Sequence, residues 1–440
     1  MAHIRDFRRR AYLEAIRTEL GSSFAETTTD LDQVLYNPRR LVWGPSRTRS
    51  GPGSPRDVNG ALEQVRNAGH ASLEPRPRAE WQPLSSTLQF DVPEQDDLDA
   101  RAVASQLNER FPDEVAPLYY TLTQQYAQPG EDPEASPPLR NLLPSASRPS
   151  PGSEGLGKGV RIAVLDTGID EGAVDAAKLR QQEFDPGQDL DRLLDPTCTG
   201  DAAGLLGPAA GHGTFIASLI HMVAPGATVR SYRVAGPLGF ADELDIADGI
   251  RRAIDDGAHV INLSLGGYPF SEKSAGPTLR SFSILQAAVS AIPDEVAVVA
   301  AAGNCGSSDE FFPAAFPRVI GVVALDRGGR LWEHSNYGSW VRACTRGVAV
   351  RGLFVQGREN PAFDPDGKSE TWDDPVNFAT WTGTSFAAPL VAGQIAVMAA
   401  QLGLIDNTRE AAEHLLGVSR PPHDPRDCGK RILVDIPGQT

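Results

Sequence analysis

Four short segments place a reactive or strongly polar side chain at the end of an apolar run. Ile162-Ala-Val-Leu-Asp166 delivers a carboxylate to the carboxyl edge of a buried strand, where open α/β sheets keep their ligand sites. Taken alone, Asp166 serves equally well as a helix cap or turn residue. Asp166-Thr-Gly is also the signature of aspartic peptidases, which need two such carboxylates sharing a proton; the tripeptide occurs once, which disfavours a single-chain enzyme of that kind and leaves an obligate dimer open. Gly211-His212-Gly213 opens an apolar helix with an imidazole between glycines that admit close backbone approach, although a lone histidine is more often structural. Thr382-Gly-Thr-Ser385 precedes a helix with Pro389 near its first turn. A serine there is by default an N-cap, but its hydroxyl and its own N–H also sit at the positive end of a helix dipole, which suits a nucleophile that generates an oxyanion. Val299-Ala-Ala-Ala-Gly303-Asn304 ends a buried strand in a side-chain amide, either a donor to a developing oxyanion or ordinary turn chemistry.

The elements that must position these groups are short strands apolar on both faces, at Arg161–Leu165, Val229–Val234, Val260–Ser264, Val296–Ala300 and Val319–Val323, alternating with helices at Leu244–Asp255 and Ser281–Ala291. That alternation predicts a parallel sheet covered by helices on both sides. Residues 124–159 carry Pro129, Pro133, Pro137, Pro138, Pro144, Pro149 and Pro151 among Ser, Gly, Asp and Glu, and are expected to be a linker that buries too little apolar surface to order itself. Residues 1–123 have a different texture. A helix is expected at Ile4–Leu20, a strand at Arg39–Trp43, a helix at Asp57–Ala68 and a strand near His70–Leu73. Strand, helix and strand follow at Ser86–Val92, Asp97–Phe111 and Ala116–Thr123, an order compatible with a ferredoxin-like βαββαβ domain.

Composition narrows the partners. The chain has 440 residues, Lys+Arg 41 against Asp+Glu 57, and a net charge of −16. Such a surface repels phosphate backbones and anionic lipid, so neither nucleic acid nor a membrane is expected as a partner. The basic N-terminus runs into Leu13-Glu-Ala-Ile-Arg-Thr-Glu-Leu20 rather than an unbroken apolar stretch, so a signal peptide is not expected, and neither is a run of about 18 apolar residues able to span a bilayer. Cys198, Cys305, Cys344 and Cys428 are too few and too dispersed to staple the fold and form no Cys-x-x-Cys pair, so no zinc knuckle is indicated and a cytoplasmic location is expected.

The order Asp166, His212, Asn304, Ser385 is that of the subtilisin catalytic set, and from about Gly159 to Asp435 the chain resembles a subtilisin-like (subtilase) serine peptidase. Val223-Ala-Pro-Gly-Ala, the run from Gly249 to Gly267, Phe312-Pro-Ala-Ala-Phe-Pro-Arg-Val-Ile-Gly-Val and Ser335-Asn-Tyr-Gly-Ser-Trp-Val are similar to further segments of that family. The resemblance implies a three-layer α/β fold with a parallel central sheet between helices, and an endopeptidase acting on protein or peptide substrates. It implies Ser385 as nucleophile, His212 as general base and acid, Asp166 as the group orienting the imidazolium, and Asn304 with the Ser385 N–H as oxyanion hole. Ser264, Leu265, Gly266 and Gly267 would pair with an extended substrate and, with Ala301, Ala302 and Gly303, wall the specificity pocket.

Three departures from the family pattern carry expectations of their own. Phe311 stands at the pocket-base position where many relatives have glycine, which implies a shallower pocket and smaller preferred side chains. Cys305 follows Asn304 directly, as a source of thiol sensitivity or as an inert buried thiol. The short link from the His212 helix to Val223-Ala-Pro lacks the acidic loop of the family's strong calcium site; no cofactor is predicted, and Asp364, Asp366, Asp373 and Asp374 are either solvated acids or a weak calcium site. By the same resemblance residues 1–123 are an intramolecular inhibitory propeptide or a permanent regulatory domain, and residues 160–440 the peptidase domain. Two alternative functions stay open: a dedicated processing or defence-associated peptidase for one partner, and a catalytically silent, peptidase-like binding module.

Overall fold

The computed structural model describes residues 25–28, 33–43, 58–67, 73–75, 88–93, 99–109, 111, 115–122, 139–140, 153–177, 179, 182–184, 205–236, 238–268, 283–360, 371–374, 376–419 and 428–434. Its central element is a sheet of eight strands in the order β20-β15-β14-β13-β12-β7-β10-β8. These are β7 (Arg161–Asp166), β8 (Gln182–Phe184), β10 (Thr228–Arg233), β12 (Val260–Leu263), β13 (Ala297–Ala301), β14 (Ile320–Leu325), β15 (Ala343–Arg346) and β20 (Lys430–Arg431), and every neighbouring pair is parallel. The near-continuous apolar strands have the physical reason expected of them, because both faces are covered. Successive side chains of β7 alternate between two cores. Ile162 and Val164 join the cluster under α4 (His212–Val223) and α7 (Thr384–Leu402), whereas Ala163 and Leu165 join the cluster under α5 (Glu243–Asp255) and α6 (Ser283–Ala291). Two shorter helices, α3 (Glu171–Ala176) and α8 (Thr408–Val418), complete this part of the molecule.

α7 corrects one expectation. It is 19 residues long and, by length and composition, apolar enough to cross a membrane, although 72% of that window is buried inside the protein, as befits the core helix that packs across β12–β15. α4 is likewise buried along its whole length, including His221. Burial lowers the His221 pKa from 6.5 to about 4. The unfolded imidazole therefore takes up a proton between those values while the folded one does not, so stability is complete above pH 6.5 and falls as the pH drops toward 4. The loss by pH 4 is at most about 3 kcal/mol. His221→Leu is expected to flatten that limb in melting temperatures measured from pH 7 to pH 4.

In the N-terminal part, β2 (Gln33–Trp43), α1 (Val58–Asn67), β3 (Glu74–Pro75), β4 (Leu88–Asp91), α2 (Ala100–Asn108) and β5 (Val115–Leu122) follow one another as β-α-β-β-α-β. The sheet order is β5-β2-β4-β3, all antiparallel, with β1 (Ala25–Thr28) added on β2. α2 starts on the Asp99 carboxylate, which accepts the Arg101 N–H at 2.7 Å, and buries Ala100, Val103, Ala104 and Leu107 at helical spacing. A strand is found at Glu74–Pro75, next to the one expected near His70–Leu73, of which residues 70–72 lie outside the described residues, as does the helix expected at Ile4–Leu20.

Strand pairing and a shared core join this part to the rest among the described residues. β5 pairs antiparallel with β11 (Phe240–Asp242), placing Leu122 opposite Phe240, and the buried residues Leu41, Trp43 and Phe90 are continuous with the core under α5 and α6. Within the expected linker, β6 (Leu139–Arg140) pairs with β19 (Asn377–Trp381) in a sheet of order β16-β19-β6, where β16 is Val350–Phe354. Residues 153–159 form turns that seat Leu156 against the main core. These two pieces of the linker are thus ordered by strand pairing and by one apolar anchor, neither of which composition reveals; residues 124–138 and 141–152 lie outside the described residues. A third small sheet joins β9 (Leu205–Leu206), β17 (Gly357–Glu359) and β18 (Thr371–Trp372).

Candidate active site

The parallel sheet brings Asp166, Ser264 and Asn304 to one edge. Asp166 is the last residue of β7, Ser264 follows β12, and Asn304 lies three residues past β13, all at carboxyl ends of adjacent strands. His212 and Ser385 come from the first turns of α4 and α7. The entry to α4 depends on its glycines. Gly211 has φ +79°, and a Cβ there would lie 2.6 Å from the Phe354 ring; a Cβ on Gly213 would lie 2.1 Å from the Gly168 carbonyl oxygen. Only glycine lets this helix start against the β7 loop.

His212 and Asp166 are both fully buried, and His212 Nδ1 lies 2.7 Å from Asp166 Oδ1. The same oxygen accepts the Thr167 N–H at 2.8 Å, while the Thr167 hydroxyl accepts the Gly213 N–H at 2.9 Å, so Thr167 ties the carboxylate loop to the histidine helix. Trp381 and Phe386 stand 5.5 and 5.3 Å from the imidazole, measured between ring centroids, and hold its plane. The Ser385 hydroxyl is not hydrogen-bonded to His212. It donates to the Ser264 carbonyl at 3.2 Å, and His212 Nε2 is buried with no hydrogen-bond partner.

A backbone detail explains why Ser264 meets Ser385 at all. Pro389, four residues on in α7, has no N–H to give the Ser385 carbonyl, and the Ser264 hydroxyl takes that place at 2.8 Å. Asn262 Nδ2 in turn donates to the Ser264 hydroxyl at 2.9 Å. Thr384 orients Asn304. Its N–H and its hydroxyl both donate to Asn304 Oδ1, at 2.9 and 2.8 Å, which turns Nδ2 toward Gly383 and the serine side. The Thr384 hydroxyl also accepts the Gly303 N–H at 3.0 Å. Thr167, Thr384 and the hydroxyl of Ser264 were not among the groups expected to position the set, although Thr167 and Thr384 adjoin the singled-out residues and each is a small hydroxyl beside a strand or helix end.

Phe311 lies between the two expected walls. A Cβ on Gly266 would be 2.2 Å from its ring, and one on Gly303 would be 3.1 Å away, so the ring occupies the space between Leu265–Gly267 and Ala302–Gly303. Gly267 and Phe312 exchange two backbone hydrogen bonds, at 2.8 and 2.9 Å, that hold the ring's segment to the first wall. Ser264, Leu265, Gly266, Gly267, Ala301, Ala302 and Gly303 are all buried. Cys305 is half-buried, and its N–H donates to Asn336 Oδ1 at 3.1 Å. Among the described residues no group of three or more His, Cys, Asp or Glu side chains is arranged to hold a metal; Asp364 and Asp366 lie outside them.

A family model described as "Subtilase family" matches residues 157–416. Over 249 residues the chain is 32% identical to the "Thermophilic serine proteinase" of Bacillus sp. (strain AK1), covering 55% of this chain and 53% of that one, so it spans about half the length of that relative. It is 31% identical over 260 residues to "Subtilisin Savinase" of Lederbergia lenta, covering 57% and 80%. The solved structure titled "Structure of Patellamide maturation protease PatA" is 25% identical, with 63% of this chain and 94% of that one covered at a TM-score of 0.46.

Proposed function

This chain belongs to the subtilase family, and on that premise we propose that it is a serine endopeptidase that cuts extended protein or peptide segments through an acyl-enzyme and is held in check by its N-terminal region. The observation that carries the reading is the buried 2.7 Å His212–Asp166 pair beside the first turn of the helix that bears Ser385. For attack, the Ser385 hydroxyl rotates from the Ser264 carbonyl to His212 Nε2, which takes its proton and later returns it to the leaving amine; Asp166 keeps Nδ1 protonated and stabilises the imidazolium. Asn304 Nδ2 and the Ser385 N–H receive the charge that develops on the carbonyl oxygen. Ser264–Gly267 and Ala301–Gly303 flank the residue before the scissile bond, and the Phe311 ring between them restricts that residue to small side chains. Phe311→Gly is expected to shift preference from alanine toward large apolar residues at that position in a substrate library; an unchanged profile sinks the pocket assignment.

Restraint is supported by attachment, and His212 and Ser385 are both buried in the full chain. The N-terminal domain is paired through β5 to β11, close to the Val234 and Ala235 N–H groups that donate to the Asp166 carbonyl, and the linker is paired through β6 to the strand that runs into Trp381 and Ser385. A cytoplasmic site of action belongs to the same proposal, in keeping with four cysteines dispersed along the chain without a Cys-x-x-Cys pair. The Ser385 hydroxyl resting on Ser264 favours one rival, a silent peptidase-like binding module. Fluorophosphonate labelling with N-terminal sequencing of wild type, Ser385→Ala and His212→Ala separates the two. The expected result is label, and a new N-terminus within residues 124–159, in wild type alone. Wild type that stays unlabelled both intact and after limited proteolysis of the linker excludes the peptidase.

A further inference from the structure

Resting on that reading, we infer that Asn336 is a positioning residue that locks the loop bearing Asn304 to the opposite wall of the specificity pocket. Its side chain is fully buried and uses its entire hydrogen-bonding capacity. Oδ1 accepts the N–H groups of Cys305 and Ser307, each at 3.1 Å, and Nδ2 donates to the Ala302 carbonyl at 2.8 Å and to the Tyr268 hydroxyl at 2.7 Å. The backbone N–H of Asn336 adds a fifth bond, to the Gly303 carbonyl at 3.0 Å. The amide has one acceptable orientation, since exchanging oxygen and nitrogen would set its NH₂ against two N–H donors.

Three of the four side-chain bonds grip residues 302, 305 and 307 and so bracket Asn304, while the fourth crosses to Tyr268, which follows Gly267 in the other wall. Gly303 is part of the fit, because a Cβ there would lie 2.4 Å from Asn336 Nδ2. Tyr268 also packs edge-on against Phe311 at 5.0 Å between ring centroids. One amide therefore braces the oxyanion donor, both pocket walls and the ring between them. Thr384 sets which way the Asn304 amide points, and Asn336 sets where its backbone sits. A buried network with every member satisfied loses position, and not only energy, when one member goes.

The test is a double-mutant cycle on the active full-length protein. Asn336→Ala is expected to lower kcat by about tenfold to a hundredfold, less than loss of the oxyanion amide itself, with KM near that of wild type. In an Asn304→Ala background the same substitution should cost about twofold or less, because the donor it positions is already gone. Equal losses in both backgrounds, or a loss confined to KM, overturn the inference. Should Asn336→Ala fail to fold, Tyr268→Phe keeps the ring and removes a single bond; a loss of kcat of a few fold, absent in the Asn304→Ala background, supports the brace, and no loss refutes it. Amide hydrogen exchange reads the same anchoring without turnover. Faster exchange at Cys305 and Ser307 in Asn336→Ala supports it even if the protein proves inert, and unchanged exchange refutes it, so its failure is distinguishable from failure of the peptidase reading.

Discussion

Alanine at His212 is expected to lower kcat by about 10⁶, the scale known for loss of a nucleophile or base in this family, and alanine at Ser385 by a similar amount. The two together should be scarcely worse than either, since a hydroxyl without a base and a base without a hydroxyl are equally idle. Residual hydrolysis should stay about 10³–10⁴ above the uncatalysed rate, because substrate binding and the oxyanion donors survive. The stability readout separates the two variants. Removing His212 takes from a fully buried side chain its 2.7 Å hydrogen-bond partner and leaves Asp166 Oδ1 with donors from Thr167 alone, a loss of about 1–3 kcal/mol on the scale of a buried polar group stripped of a partner. Ser385→Ala removes the neutral 3.2 Å bond to the Ser264 carbonyl and breaks no buried carboxylate contact, so it should melt closer to wild type than His212→Ala. Comparable activity losses with unequal melting temperatures are the expected pattern. A His212→Ala protein that hydrolyses peptides within tenfold of wild type would end the mechanistic reading.

Legibility in the sequence followed the range of the interactions involved. β7, β12 and β13 were readable because burial on both faces imposes an unbroken apolar run, and α5 from its helical pattern; in the structure Asp242 caps α5, accepting the Leu244 and Asp245 N–H groups at 2.8 and 2.9 Å. β11 and β6 were not, since strands of three and two residues are made by a partner's backbone and leave no periodicity of their own. The chemistry divides in the same way. Asp166, His212, Asn304 and Ser385 each end or begin an element, which marks them locally. Asn336 lies outside any helix or strand, and its partners are 29 to 68 residues distant, so although its segment resembles the family, nothing local marks its role. The parking of the Ser385 hydroxyl on Ser264 was equally hidden, because it follows from a missing N–H at Pro389 together with a neighbouring strand end.

Asn304 offers the second large effect, and its sign depends on charge rather than on bulk. Asn304→Ala should lower kcat by about 10²–10³ with little change in KM, the scale found when subtilisin loses its oxyanion asparagine, since the bond it donates strengthens as the carbonyl oxygen acquires charge. The substitution also strips Oδ1 from the Thr384 N–H, a buried donor that would cost about 1–3 kcal/mol if left unpaired, so a lower melting temperature should accompany the loss. Asn304→Asp separates the two consequences. An aspartate still accepts from the Thr384 N–H and hydroxyl and should melt nearer to wild type than the alanine variant, yet it turns a carboxylate instead of an NH₂ toward the oxyanion. Repulsion in a water-excluded site then makes it the slower enzyme of the two. The expected order of kcat is Asn, Ala, Asp, while the expected order of stability is Asn, Asp, Ala. An aspartate variant faster than the alanine variant would place the developing charge away from Asn304.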